Sequence, residues 1–138
     1  FVGDLPHAWV ASDFVRSALD MFAYNREVDD AIVLAAGVPA DWLAGKGIAI
    51  DGLRTSHGTV KYALARSDRK LTLQVPEGLR LPAGGLVLPW PYEGAPGEAS
   101  INGEPAAWEG RELRITQLPA KVEIDVPADQ RRGERARR

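Results

Sequence analysis

The 138-residue chain has no cysteine, a single methionine and only two histidines. Without cysteine there is no disulfide framework, no thiolate metal site and no cysteine nucleophile. Two histidines without thiolates also argue against a zinc site, and no cofactor is expected. A cysteine-free chain suits oxidising and reducing surroundings alike, which leaves the compartment open, with a periplasmic or secreted setting preferred to the cytoplasm. Charge of one sign is lacking too: 17 basic against 19 acidic residues leave a net charge of -2, so no basic face points to nucleic acid. Long hydrophobic runs are absent. The longest, Ala31 to Val38, falls far short of the roughly 20 residues a membrane helix needs, so no membrane partner is expected. The chain opens on Phe-Val-Gly-Asp, with neither an initiator Met nor a basic segment ahead of an apolar one. Such a start reads as processing, trimming or a piece of something longer.

What is present is an ordinary globular composition, 45% hydrophobic and 26% charged. For a chain of this size, folding would reduce the accessible surface from about 22,000 to about 7,000 Å², enough for a true core. From Pro6 to about Tyr24 the period is helical. Val10, Phe14, Ala18 and Met21, flanked by Val15, Leu19 and Phe22, recur at three- and four-residue steps, and Asp13, Arg16, Ser17 and Asp20 fill most of the other face. So broad an apolar stripe must pack against something, and no second long helix follows. At the far end Pro127 to Arg138 holds five Arg against one Asp and one Glu, a local +3 that leaves -5 on the rest. This segment reads as a solvated, disordered basic tail.

From Ala31 onward the period becomes two. Ala31–Ala36 reads as a short apolar strand and Pro39–Leu43 as one helical turn. Gly47–Thr55, Thr59–Arg66 and Lys70–Val75 follow as strands separated by turns at Ser56-His57-Gly58 and Ser67-Asp68-Arg69. Leu86–Leu88 follows the Gly84-Gly85 pair. Glu98–Ile101 and Glu104–Ala106 flank Asn102-Gly103, the strongest hairpin signal in the chain. Glu112–Ile115 and Val122–Val126 complete about eight short strands, a spacing that implies a sandwich. The expected fold is therefore mainly β: an antiparallel β-sandwich over residues 29–126, one N-terminal α-helical segment over 1–28, and a tail over 127–138.

Candidates for chemistry are few. Ser56-His57 with Asp51 nearby has the residue types of a nucleophilic triad, but neighbours on a tight turn are expected to diverge, and His57 beside Gly58 reads as a turn residue. Glycoside hydrolysis needs two acids facing each other across a cleft. Asp29, Asp30, Asp41, Asp51, Glu93 and Glu123 instead fall on loops and outward strand faces. Gly45-Lys46-Gly47 feeds a strand rather than a helix, so it is no phosphate loop. No residue is assigned as catalytic or metal-binding. Trp90, Tyr92 and Trp108 have rings able to stack on sugars, with Trp90-Pro91-Tyr92 expected to be the exposed pair; the alternative for these rings and Trp42 is sandwich core. His7 and Trp9, at the helix start behind Pro6, place two recognition-type side chains at one helix end.

The order of a His-x-Trp helix (His7, Trp9), a short apolar strand, Gly52-Leu-Arg-Thr-Ser-His-Gly-Thr-Val60, alternating strands and Ile101-Asn-Gly-Glu-Pro105 resembles the C-terminal end of bacterial (α/α)-toroid glycoside hydrolases, the α-L-rhamnosidase-like group above all. It covers roughly Gly3 to Val126 and departs from the family's pattern at Ser56, where proline is usual. The resemblance implies the last helix of a helical barrel running into a C-terminal β-sandwich. The general acid and base would lie on earlier helices, so this chain would have no catalytic residue, and His7 and Trp9 would border or support the substrate cleft. The expected partners are the helical catalytic barrel of the parent chain and an oligosaccharide, with self-association through the N-terminal helix as a consequence of its bare stripe. The reading from another class is a free-standing β-sandwich that binds carbohydrate or protein through Trp90, Tyr92 and Trp108.

Overall fold

Alternation along the chain decides which side chains meet. In the segment Gly58–Ser67, Val60, Tyr62 and Leu64 are buried while Lys61 and Ala63 are exposed; in Lys70–Val75, Leu71, Leu73 and Val75 are buried. Each strand thus offers one apolar face, and two sheets must close on each other to keep these faces dry. The computed structural model describes residues 15–128. Residues 15–20 are helical, and ten strands follow: β1 (Ala23–Arg26), β2 (Ala31–Leu34), β3 (Ile48–Thr55), β4 (Gly58–Ser67), β5 (Lys70–Val75), β6 (Leu86–Pro89), β7 (Ala99–Ile101), β8 (Glu104–Ala106), β9 (Glu112–Ile115) and β10 (Ala120–Asp125). They form a small sheet ordered β1-β2-β6-β9 and a large sheet ordered β3-β4-β5-β10-β7-β8.

The chain is a mainly β sandwich with antiparallel pairing in every strand pair but one. β2 and β6 run parallel, Ile32 opposite Leu86 and Val33 opposite Val87, because the chain leaves the small sheet where β2 finishes, builds three strands of the large one, and re-enters at the end where β2 began. The shared core takes Ile32, Leu34, Leu86, Leu88, Leu113 and Ile115 from the small sheet and the inward residues of β4, β5 and β10 from the large one. Within β3 the register shifts between Asp51 and Leu53 at a bulge. The hairpin between β7 and β8 turns on Asn102 (φ 52°) and Gly103 (φ 83°), both left-handed as a type I′ turn requires. Asn102 also fastens the hairpin to β10: its side-chain amide donates to the Pro119 carbonyl at 3.0 Å and its carbonyl oxygen accepts from the Lys121 N–H at 2.8 Å.

The structure corrects the expected boundary between helix and sandwich. Residues 23–26 are not helical; they are strand β1, paired with β2 from Ala23–Leu34 to Arg26–Ala31. The segment assigned to 1–28 is therefore divided, and the change is made by pairing. Ala23-Tyr24-Asn25-Arg26 lies beside the edge of β2, whose backbone groups need partners. The junction is held firmly. The Phe22 carbonyl accepts the Ala35 N–H at 2.8 Å and the Tyr62 hydroxyl at 2.6 Å, and the Met21 carbonyl accepts the Gly37 N–H at 3.2 Å. Burial raises the Tyr62 phenol well above its ordinary range. The early part of the expected helix, with His7 and Trp9, and the tail from residue 129 lie outside the described residues.

β2 is buried on both faces. Its outward side chains Ala31 and Val33 join Val87 in a second apolar layer, with Tyr24 against it. On the same side of the small sheet Arg26 pairs with Asp29 (2.7 Å) and Glu112 (2.6 Å), while Arg114 pairs with Asp29 (3.2 Å) and Glu109 (3.0 Å). The hydrogen bond from Arg26 holds the Asp29 carboxyl down to about 2, from an ordinary 3.8, and also lowers that of Glu112.

Two predictions follow from these contacts. Because both carboxyls have depressed pKa values in the folded state, the stability they contribute is present above pH 4–5, the ordinary range, and is lost as pH falls toward 2. Melting temperature is expected to drop over that window, with a shallower drop in Asp29→Asn; identical pH profiles for the two proteins would count against the lattice. Gly103→Val places a β-branched residue at positive φ and is expected to destabilise the fold by roughly 1–3 kcal/mol in denaturant melts.

Candidate functional site

Strand directions sort the loops onto two ends of the sandwich. β1 starts, and β2, β4, β6, β8 and β10 finish, at one end. That end receives the helix at residues 15–20, the 3-10 turn Ala40–Leu43, the turn between β4 and β5, and the segments after β6 and β8. Trp42, Trp90, Tyr92 and Trp108 therefore gather there, although they are spread over 67 positions of sequence. The opposite end carries the β3–β4 hairpin turn, Asp30 and the segment leading into β6.

The aromatic candidates divide by burial. Trp90 is only 5% exposed. It sits edge-on to Tyr92 (centroids 5.1 Å apart, 70° between planes) and to Trp108 (5.8 Å, 78°), packed into the mouth of the core. The expectation that Trp90 and Tyr92 form an exposed pair is thus overturned. The prolines on either side do not expose the segment, because β6 ends inside the sandwich and carries Trp90 in with it, as the backbone bond from the Trp90 N–H to the Arg111 carbonyl shows. Tyr92 is half-buried, with the Arg66 guanidinium 5.0 Å from its ring centroid, and Arg66 is itself buried on the inner face of β4. Neither ring offers a free face for stacking. Trp108 is different. It is half-buried, its indole N–H donates to the Gly97 carbonyl at 2.9 Å, and it lines a groove of about 690 Å³ on the outer face of the large sheet. Lys70, Ser100, Glu123 and Asp125 line the same groove. Lys70 Nζ lies 3.4 Å from Glu123 and 3.8 Å from Asp125, and Lys121 lies 3.3 Å from Glu123. These cations lower the Glu123 carboxyl, Lys121 first and Lys70 second. Sequence reasoning missed this cluster. The signal was the outward parity of β10, where Glu123 and Asp125 share a face, but Lys70 and Ser100 come from other strands.

At the opposite end Ser56 and His57 do meet. Ser56 Oγ is 3.1 Å from His57 Nδ1, contrary to the expectation that turn neighbours diverge. The nearby acid is Asp30, whose Oδ1 is 3.9 Å from His57 Nε2; Asp51 instead faces Lys61 at 3.7 Å. The set has the composition of a triad without its setting. Asn25 Nδ2 donates to Ser56 Oγ at 3.3 Å, Asp30 Oδ2 accepts the Ala83 N–H at 3.1 Å, and the His57 carbonyl accepts the Arg80 N–H at 3.3 Å. Each group is thus engaged in tying three loops together, and neither groove of the large sheet reaches it. Thr55 completes the turn, donating from its hydroxyl to the Gly58 carbonyl at 2.8 Å and accepting the His57 N–H at 3.2 Å.

Three carboxylates are equally committed. Asp29, Glu112 and Glu123 are all held below the usual carboxylate range by their cations, the reverse of what a general acid requires. Among the described residues no group of three or more His, Cys, Asp or Glu is placed to hold a metal ion, and no helix is long and apolar enough to cross a membrane. Compared with protein-family models, with curated proteins and with solved structures, the chain matches none.

The aromatic division is testable by stability. Trp90→Ala is expected to cost about 3–5 kcal/mol because it empties the mouth of the core. Trp42→Ala, at a site 50% exposed, is expected to change stability by no more than about 0.5 kcal/mol. Comparable losses at both positions in urea melts would contradict the assignment.

Proposed function

We propose that this chain is the non-catalytic β-sandwich portion of a carbohydrate-active enzyme of the α-L-rhamnosidase-like kind, which packs its helix-bearing end on a helical catalytic barrel and supports it. The observation that carries this reading is where the exposed apolar side chains lie. Of the four large apolar side chains exposed among the described residues, Val15 (56% exposed), Leu19 (45%) and Trp42 (50%) belong to the end at which the helix joins the sandwich, while the fourth, Val28 (90%), stands on the β1–β2 connection at the opposite end. Three such side chains at one end favour contact with another body there. The junction supports the same role. Bonds from Ala35, Gly37 and Tyr62 to the Met21 and Phe22 carbonyls fix the direction in which the helix meets the sandwich, so an element shared by two bodies would be held at a set angle.

The positions that carry the resemblance have turn-building roles. Thr55 and Gly58 close one hairpin, and Asn102 and Gly103 close another. They speak for the sandwich. His7 and Trp9 keep their proposed place at the barrel cleft.

The test compares two proteins: the present chain, and the same chain preceded by the upstream part of its reading frame. The present chain is expected to show no turnover of p-nitrophenyl α-L-rhamnopyranoside. Leu19→Glu and Trp42→Ser are expected to leave its melting temperature nearly unchanged and to lower that of the longer protein by several degrees, the effect of about 1–2 kcal/mol lost at a packed interface. Equal, small effects in both proteins, or an upstream region without several hundred residues of helical pattern, would overturn the proposal.

A further inference from the structure

The groove beside Trp108 lies on the outer face of the large sheet, whereas the small sheet carries the helix junction. Its construction is unlike that of the other broad depression on the large sheet, a trough of about 630 Å³ over Ala49, Ala63 and Gln74 that has no exposed aromatic ring. Three features of the Trp108 groove bear on what could occupy it.

The first is a fixed ring. Trp108 is tied by its indole N–H to Gly97 and braced edge-on by Trp90, so its orientation is set before anything binds. Gly97 makes this possible. A Cβ there would lie 1.9 Å from the Asp125 carbonyl oxygen, so only glycine lets this segment lie flat against β10 with its own carbonyl turned to the indole. The second is a wall of polar groups that both donate and accept. The Lys70 ammonium between Glu123 and Asp125 and the Ser100 hydroxyl line one continuous surface. These charges already neutralise one another in part, which favours a ligand that exchanges hydrogen bonds over one that brings a full charge. The third is size. About 690 Å³ falls within the roughly 300–1,000 Å³ of small-molecule sites.

The geometry points to a binding site for a neutral pyranoside, with the apolar C–H face of one sugar ring laid on Trp108 and its vicinal hydroxyls shared between Lys70, Glu123 and Ser100. A pyranose meets all three features. It has one face of C–H groups to set against a ring quadrupole, paired hydroxyls spaced to bridge an ammonium and a carboxylate, and no charge of its own. The site goes beyond the supporting role proposed above. It uses a different face, and it stands or fails independently of the barrel.

The experiment is an amide and indole chemical-shift titration of the full 138-residue chain with methyl α-L-rhamnopyranoside, methyl β-D-glucopyranoside and methyl β-D-galactopyranoside, and with tetramethylammonium chloride as a cation probe. A single stacked ring with a few hydrogen bonds is expected to give a Kd of about 1–10 mM. The expected result is saturable shifts with at least one pyranoside, confined to the Trp108 indole N–H and the amides of Gly97, Ser100 and Glu123. Trp108→Ala is expected to weaken binding at least about tenfold. If that variant fails to fold, Glu123→Gln and Lys70→Met, which leave the ring in place, are expected to weaken it about threefold or more. Absence of shifts with all three pyranosides at about 50 mM, shifts centred elsewhere, or a response to tetramethylammonium alone would overturn the assignment, the last by making the groove a cation site.

Discussion

Ala31–Leu34 are buried side chain after side chain, so β2 must be covered on both faces. One face is covered by the large sheet, which meets Ile32 and Leu34 across the core. The other bears Ala31 and Val33 against Val87, and arginines rather than further apolar residues flank that layer. Arg26 on one edge strand and Arg114 on the other meet at Asp29, and each also reaches an acid of the β9 region, Glu112 or Glu109. Long arginine stems can shield apolar surface while their charged ends stay partly wet. The same lattice joins the two edges of a small sheet whose strands are only four residues long.

The core of the small sheet then constrains where the chain can go. Because β6 enters parallel to β2, the chain must travel the length of the sandwich between them, and it does so as three strands of the large sheet. At one end the β3–β4 turn is short and polar and is tied to Asp30 through Thr55, Ser56 and His57. At the other end the connections after β2, β6 and β8 carry the aromatic rings. Chemistry-bearing side chains at the first end therefore serve as a brace. Three of the four exposed large apolar side chains among the described residues, Val15, Leu19 and Trp42, lie at the second.

The supporting role and the groove share one end of the sandwich but use different faces. Contact with a helical barrel would use the end of the small sheet, where the helix joins β1. The groove beside Trp108 opens on the outer face of the large sheet. Trp90 connects the two regions, since its ring fills the mouth of the core and braces Trp108 from within.

Alternation and turn chemistry made most of the fold legible in the sequence. β4, β5, β9 and β10 show themselves by period two, and Asn102-Gly103 by its tolerance of positive φ, because both signals are local properties of a few consecutive residues. β1 was not legible. Ala23-Tyr24-Asn25-Arg26 follows Met21 and Phe22 at helical spacing, and only the open edge of β2 makes it a strand. Trp90 and Tyr92 looked exposed from their prolines, yet the direction of β6 carries them into the sandwich. Asp51 stood nearest His57 in the chain, while folding brought Asp30 to it. Lys70, Ser100, Trp108 and Glu123 had no common signal, since they lie on different strands and loops and share only a face. The sequence by itself determined the strands other than β1, the tight turns and the number of layers, which depend on neighbours two to four residues apart. Only tertiary structure decided the edge strand, the partners of each charge and the groove, because these depend on which distant segments are pressed together when two apolar faces leave water.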